Sequence, residues 1–464
     1  MIYRSLRWLI NTTKGRCLNK DIELDKMFNG VYIDSRLCNN NSLFVPINGS
    51  NVDGHSFSYK ACELGAIITL WNKGVNNPPV DKMIVIEVDD TIDTLAVIAK
   101  QYASELNAKF IGVTGSNGKT STKDMLKDVL ASKYKVMKTM GNYNNILGVP
   151  LTLLSFDEDL EIGVVELGMD KLKEISYLVS LVKLDIAIIT SIGDAHLSDL
   201  GSIENIAKAK CEIIEGIKDK GVLIHVDDKL IDNELNDLSK SIKFNFKVMT
   251  YGTENNNDLV LIDFMQDESG IRFSTDKIDN ISVPLYGKHQ AYNAMAVILC
   301  AMYFKMNNNE IVEAFKNVKC TKMRNEVLKI NKLSILNDSY KSNPQSVLAA
   351  LETMSHFKND KHIVVLADML DLGENEIQKH EQLGLDISSY EFAELITYGN
   401  LAKYINDKCH NNAIKKHYDN KQDIVEYLKT LLDKNYLVLI KGSRSMKLDE
   451  IVDQLLNSGG NINE

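Results

Sequence analysis

Phe110-Ile-Gly-Val-Thr-Gly-Ser-Asn-Gly-Lys-Thr-Ser-Thr122 is an apolar strand running into a glycine turn, a lysine and hydroxyls, followed by the helical spacing of Met125, Leu126, Val129 and Leu130. A turn built on Gly115 and Gly118 can aim backbone N–H groups at phosphate oxygens, because glycine tolerates the required φ angles and leaves no Cβ in the way. The helix start adds its own N–H groups and dipole. In such a cradle Lys119 reaches the outer phosphates and Thr120 holds Mg²⁺, with Ser116, Asn117 and Ser121 around them. The common P-loop has glycine where this chain has Val113, so the loop is a variant, shorter between its glycines. A plain surface turn is the competing reading, and the strand before and helix after weigh against it.

Outward from this loop the pattern alternates. Helix is expected at 92–106, 120–132 and 203–217, and strand at 109–113, 161–166, 185–190 and 221–225. Runs such as Ile162-Gly-Val-Val165 and Asp185-Ile-Ala-Ile-Ile-Thr190 suit a parallel sheet covered on both faces. A more polar span, 244–284, reads as a strand-rich insertion before a helix near Asn293. At 464 residues the chain is too long for one ordinary core. The α/β architecture expected has three domains: a small α/β module over 1–90, a central P-loop-type, mostly parallel ATPase sheet over 91–318, and a C-terminal Rossmann-like doubly wound domain over 319–464.

Composition narrows the class. Hydrophobic residues are 44% and charged residues 25%, as in soluble globular proteins. A net charge of −10 argues against a general nucleic-acid binder. The seven cysteines are scattered, odd in number and nowhere in C-x-x-C spacing, so neither a disulfide framework nor a zinc site is indicated. The longest apolar runs fall far short of the roughly 20 residues that span a bilayer. A cytoplasmic protein without membrane insertion is the expectation.

Three further residues carry chemistry. The buried strand ending Val164-Val165 delivers Glu166, a natural Mg²⁺ partner for Thr120 because hard Mg²⁺ prefers oxygen ligands; capping the next helix is its bland alternative. The following strand ends in Thr190-Ser-Ile-Gly-Asp-Ala-His196, placing an imidazole on the same sheet edge. At about 100° per residue, Ile203, Ile206, Ala207, Ile213, Ile214 and Ile217 form one apolar stripe with Lys210 in its middle and Lys208 opposite. A lysine there must lose its charge, snorkel or find an anion. A neutral amine can add CO₂ to become a carbamate, a carboxylate-like metal ligand.

Taken in order, the Gly-Ser-Asn-Gly-Lys-Thr-Ser loop, Glu166-Leu-Gly, His196 and Ala209-Lys210 resemble the Mur ligase family, ATP-dependent amide ligases. Further matching segments are Asp34-Ser-Arg36, Asp53-Gly-His55, the run from Gly141 to Thr152, Gly287-Lys-His289 with Asn293, Arg324-Asn-Glu326, Asn337-Asp-Ser-Tyr-Lys-Ser-Asn-Pro344, Asp368-Met-Leu-Asp-Leu-Gly373 and Lys441-Gly-Ser-Arg-Ser-Met446. Together they span all three expected domains. The chain departs from the family at Lys341-Ser342, where Asn-Ala is usual, at Gln290, where Asn is usual, and at Ala367, where Gly is usual.

The resemblance implies that D-alanyl-D-alanine is joined to UDP-N-acetylmuramoyl-tripeptide through an acyl phosphate, with ATP, two Mg²⁺ ions and a carbamate on Lys210. It implies that Lys119, Glu166, His196, Lys210 and Arg324 serve catalysis, and that Thr120, Glu166, His196 and Lys210 hold metal. Asn293 and Asp338 would meet the nucleoside, Arg324 the phosphates, and Ser35 with Arg36 the UDP end of the acid substrate. Asn144 and Asn145 would meet the muramoyl-peptide, and Ser443, Arg444 and Ser445 would close over the dipeptide. Simple turn hydrogen bonds are the alternative for these last residues. A monomer whose third domain swings onto the second is expected. The competing functions are another ligase of the family, either tripeptide-forming or of the folylpolyglutamate type, and a silent nucleotide-peptide binder.

Overall fold

The computed structural model describes residues 1–458 apart from 50–51, 194–196, 242 and 371. Three larger sheets follow one another along the chain. The first has five strands in the order Arg16–Cys17, Ile84–Val88, Ala66–Asn72, Ser42–Phe44 and Val31–Tyr32; only Arg16–Cys17 is antiparallel to its neighbour. The central sheet has nine strands. Val136–Lys138, Ile162–Glu166, Lys109–Thr114, Leu184–Ile189, Ile217–Val226, Lys247–Gly252 and Leu259–Asp267 run parallel in that order, and Gly270–Thr275 and Ile281–Val283 close the edge as antiparallel strands. The third sheet has six strands, all parallel except Glu326–Ile330.

The central strands are apolar throughout because both faces are covered. Along Leu184–Ile189, Ile186 and Ile188 enter a core with the helices Lys119–Leu130 and Lys288–Tyr303, while Ala187 and Ile189 enter a second core with Thr91–Glu105 and Ile203–Cys211. Each fully buried Ile or Leu contributes on the order of 1.5–3 kcal/mol. The third sheet repeats the arrangement, with Val364 and Leu366 on one side and Ile363 and Val365 on the other. Register then fixes where polar residues emerge. Glu166 lies beside Val113, and Ile189 beside Thr114, so the ends of three strands open at one carboxyl edge. Ligands of open parallel sheets bind at this edge.

Two expectations change. The 244–284 span is no separate insertion: its strands extend the central sheet to its edge. The helix expected over 203–217 ends at Cys211, passes through a 3-10 turn, Glu212–Gly216, and enters a strand at Ile217. Where the α-helix gives way to the 3-10 turn, the Glu212 carboxylate accepts the N–H groups of Lys173 (2.7 Å) and Ser176 (3.1 Å). A side chain at Gly216 would sit 2.6 Å from the Val179 Cβ, so the turn must pass there bare.

At the opposite edge, Asp185 is 3% exposed and binds Lys109 Nζ (2.9 Å), Lys218 Nζ (2.8 Å) and the Phe110 N–H (3.0 Å). Burial pushes its pKa up, but these donors together hold it below the ordinary carboxylate value. Asp185→Ala strands the Phe110 N–H and is expected to lower unfolding stability by about 1–3 kcal/mol at pH 7. Because the folded pKa is depressed, the ionic part of this contribution is present above about pH 4 and lost as pH falls through the folded value. Urea melts should therefore show the gap between native and variant chains narrowing in acid; a constant gap would contradict the assignment.

Candidate active site

The phosphate-loop sequence folds as a cradle because its glycines are sterically required. Gly115 (φ +148°) approaches so closely that a Cβ would lie 2.0 Å from Thr190 Oγ1, and at Gly118 (φ +84°) a Cβ would lie 2.5 Å from Asn293 Oδ1. The turn after the neighbouring strand braces the loop: Ser116 N donates to Ser191 O (2.9 Å), Ser116 Oγ to Gly193 O (3.0 Å), and Asn117 N to Ser191 Oγ (2.9 Å). Lys119 Nζ folds back onto Gly115 O (2.5 Å) and Ser116 O (3.3 Å). Crowding by protein atoms and repulsion from Lys341 and Arg324, partly offset by Glu166, push its pKa down to about 7. An anion placed in the loop would restore the charge.

Glu166 is the hub beneath it, 2% exposed. Its Oε2 accepts from Thr120 Oγ1 (3.1 Å) and faces Lys123 Nζ (3.1 Å), and its Oε1 accepts from Asn144 Nδ2 (2.9 Å). Burial acts to raise its pKa, but Lys123 and Lys119 with the Asn144 hydrogen bond lower it, so the group stays ionised. Lys123, 1% exposed, also donates to Gly141 O (3.1 Å), joining the phosphate-loop helix to the 141–145 loop. Sequence reasoning passed over Lys123. Its signal was the one that exposed Lys210: it shares a helical face with Leu126 and Leu130.

Lys210 is 1% exposed, while Lys208 faces solvent. Burial, reinforced by repulsion from Lys119 and Lys341, drives its pKa well below that of a free lysine. Among the described residues no carboxylate pairs with it, and snorkelling is ruled out by its burial. His196 lies outside the described residues. The donor chemistry fits the groups expected: Thr120 and Glu166 offer adjacent oxygens to a hard cation, and the burial of Lys210 favours the neutral form that CO₂ addition requires. Among the described residues no three His, Cys, Asp or Glu side chains form a group that could hold a metal ion.

The C-terminal unit completes a cleft of about 1060 Å³. Arg324 Nη2 donates to Thr120 Oγ1 (3.0 Å), its guanidinium lies 4.2 Å over the Tyr340 ring, and Asn343 Nδ2 donates to Asn117 Oδ1 (3.3 Å). Asp338 is engaged by Lys441 (2.5 Å), a lysine 1% exposed that also donates to Lys341 O. Asn293 donates to Gln290 Oε1 (3.0 Å), so the departure at 290 holds a cleft residue in place. Ser121, Ser443, Arg444 and Ser445 line the same space. Ser443 Oγ accepts from Leu370 N and Arg444 pairs with Asp449 (2.7 Å). Asn145 also lines the cleft, but its Oδ1 caps the Leu147 and Gly148 N–H groups.

Ser35 and Arg36 are not brought into this cleft. They sit in the N-terminal unit, where Arg36 pairs with Asp34 (2.7 Å) and Ser35 is buried. A second, more open cavity of about 660 Å³, around His362 and Tyr390, lies at the amino ends of the third sheet's strands and holds none of the candidate residues.

Residues 27–103 match the model "Mur ligase family, catalytic domain", 113–301 "Mur ligase middle domain", and 323–444 "Mur ligase, glutamate ligase domain". The chain is 40% identical to the UDP-N-acetylmuramoyl-tripeptide--D-alanyl-D-alanine ligase of Bacillus subtilis (strain 168), covering 99% of both proteins. It is 29% identical to the protein of that name from Escherichia coli (strain K12), over 99% of this chain and all of the relative. Its fold is that of MurF from Acinetobacter baumannii (TM-score 0.88, 24% identity, 98% and 99% of the two chains) and of MurF ligase from Thermotoga maritima in complex with ADP (TM-score 0.79, 24% identity, 93% and 97%).

Proposed function

The chain belongs to the Mur ligase family, and we propose that it joins D-alanyl-D-alanine to UDP-N-acetylmuramoyl-tripeptide with consumption of ATP, completing the pentapeptide precursor of peptidoglycan. The observation that carries this reading is end-to-end 40% identity to a ligase of that specificity, in a chain whose Lys119, Thr120, Glu166, Lys210 and Arg324 share one cleft. It outranks the folylpolyglutamate alternative, whose solved relative from Mycobacterium tuberculosis shares 16% identity over 80% of this chain.

A carboxylate does not acylate an amine at neutral pH, so it is first activated. The tripeptide's terminal carboxylate attacks the γ-phosphorus of ATP, the bond to the β-phosphate oxygen breaks, and an acyl phosphate and ADP form. The dipeptide amine then attacks the acyl carbon, loses a proton, and inorganic phosphate leaves. Two anions meet in the first step, so what the protein must supply is positive charge in fixed positions. Lys119, Arg324 and the N–H groups at the start of the Lys119–Leu130 helix supply it. Thr120 and Glu166 would hold one Mg²⁺, and carbamylated Lys210 with His196 a second; bound there, the ions screen the triphosphate and the incoming carboxylate.

The three units, 1–90, 91–318 and 319–464, divide the work into holding the UDP end, ATP and the dipeptide. Ser35 and Arg36 serve the first, and Asn144 and Asn145 the muramoyl-peptide. Asn293 and Asp338 serve the nucleoside, and Ser443 to Ser445 the dipeptide. Among the described residues no helix is long and apolar enough to cross a membrane, and the reading takes the enzyme as a cytoplasmic monomer.

The test is phosphate release by the purified protein with ATP, D-alanyl-D-alanine and UDP-tripeptides ending in meso-diaminopimelate or L-lysine. One ADP and one phosphate per amide bond, only with both substrates present, is the expected result. ATP cleavage uncoupled from amide formation, or none, would overturn the reading.

A further inference from the structure

The segment joining the second unit to the third lies along the phosphate-loop helix as a ladder. Lys319 N donates to Asp128 Oδ2 (3.1 Å), Thr321 Oγ1 to Asp124 Oδ2 (2.5 Å), and Arg324 Nη2 to Thr120 Oγ1 (3.0 Å). Thr120, Asp124 and Asp128 are four residues apart, so their side chains form one stripe of the helix. The joining segment runs down that stripe antiparallel to it. Asp124 is itself fixed by Lys138 (2.7 Å), so Thr321 is anchored to a held carboxylate.

Beyond Thr321 the backbone is unusual. Met323 (φ +60°) and Asn325 (φ +50°) flank Arg324 in the left-handed region that non-glycine residues rarely adopt. Three contacts impose it: Met323 N donates to Glu326 Oε2 (2.9 Å), Asn325 N to Asp338 Oδ1 (3.2 Å), and Arg324 N to Thr321 O (3.2 Å). Arg324 is thus pinned from behind by Thr321 and from ahead by the third sheet.

We propose that Thr321, through Asp124, is a positioning residue for Arg324. Thr120 Oγ1 is the hydroxyl that would face a nucleotide-bound cation, so its bond to Arg324 is the rung given up when the cleft fills. The two rungs at Asp124 and Asp128 keep the guanidinium in register while it turns from Thr120 to the phosphates. The inference rests on the proposed phosphate role of Arg324.

The test is a cycle of Thr321→Val with Arg324→Ala, reading kcat/KM for ATP and the affinity for a non-hydrolysable ATP analogue. Valine keeps the shape and removes the hydroxyl. In the otherwise native protein Thr321→Val should lower kcat/KM about tenfold with unaltered melting temperature, since small misplacement of a charge-stabilising group is costly, and Thr321→Ser should restore it. In the Arg324→Ala background Thr321→Val should have no further effect, because the group it positions is gone. Equal losses in both backgrounds, or none in either, would overturn the inference. If the native protein makes no amide, the functional reading fails, whereas the analogue-affinity cycle still decides whether Thr321 acts through Arg324.

Discussion

Lys119→Met is expected to lower kcat/KM for ATP by on the order of 10³-fold, the scale of losing a transition-state charge donor, and to leave thermal stability unchanged or slightly raised. In the ligand-free protein Lys119 is an internal cost: crowded by protein, repelled by Arg324 and Lys341, its pKa is pushed down to about 7 and its amine is parked on Gly115 O and Ser116 O. Methionine fills similar volume without a charge to desolvate. With triphosphate in the loop the account reverses, because the phosphates supply the anion the amine lacks and charge accumulates on them as the carboxylate attacks. Large loss of turnover with retained melting temperature is therefore the signature. Loss of both together would mean that Lys119 is chiefly a structural donor to the loop. Turnover within tenfold of native would mean that the cradle holds the phosphates by its backbone alone.

How much of this was legible in the sequence depends on whether the deciding contact is local. The phosphate loop was, because strand, glycines, lysine and helix adjoin one another. So was the burial of Lys210, since the helical period places it among Ile206 and Ala207. The sheet order was not: nothing in the strand Lys247–Gly252 announces that it pairs with Ile217–Val226 rather than starting a separate insertion. The switch to a 3-10 turn after Cys211 was hidden for the same reason, since the Glu212 carboxylate there binds N–H groups some 40 residues earlier in the chain. Asn144 and Glu166 could each be singled out from the sequence, but the hydrogen bond between them is a tertiary contact that sequence does not display. The burial of Lys123 is legible by the same helical period, which places it on a face with Leu126 and Leu130. The ladder of Thr120, Asp124 and Asp128 has a readable four-residue spacing, but its partners lie about 200 residues away.

Lys210→Ala is expected to remove about 10³-fold or more of the turnover, since a group that anchors a catalytic cation acts on the barrier as a whole. Short carboxylic acids such as formate or acetate should restore part of it. The reasoning begins from burial. A lysine 1% exposed, with no carboxylate paired to it among the described residues, has its pKa driven well below that of a free lysine by burial and by repulsion from Lys119 and Lys341. The neutral form of such an amine can take up CO₂, forming an N–C bond and releasing a proton, and so becomes a carboxylate-like anion. Alanine deletes both amine and stem, leaving a space that a small carboxylate can enter to present the same oxygens. A lysine that merely filled the core would behave otherwise: alanine would lower stability through the cavity it creates, and added acids would do nothing for turnover. The carbamate also predicts that the native protein, depleted of CO₂, loses activity and recovers it with bicarbonate, while Lys210→Ala responds to acetate but not to bicarbonate. Bicarbonate-independent native turnover together with failure of every added acid would leave Lys210 without a carbamate and the second metal position without its anchor.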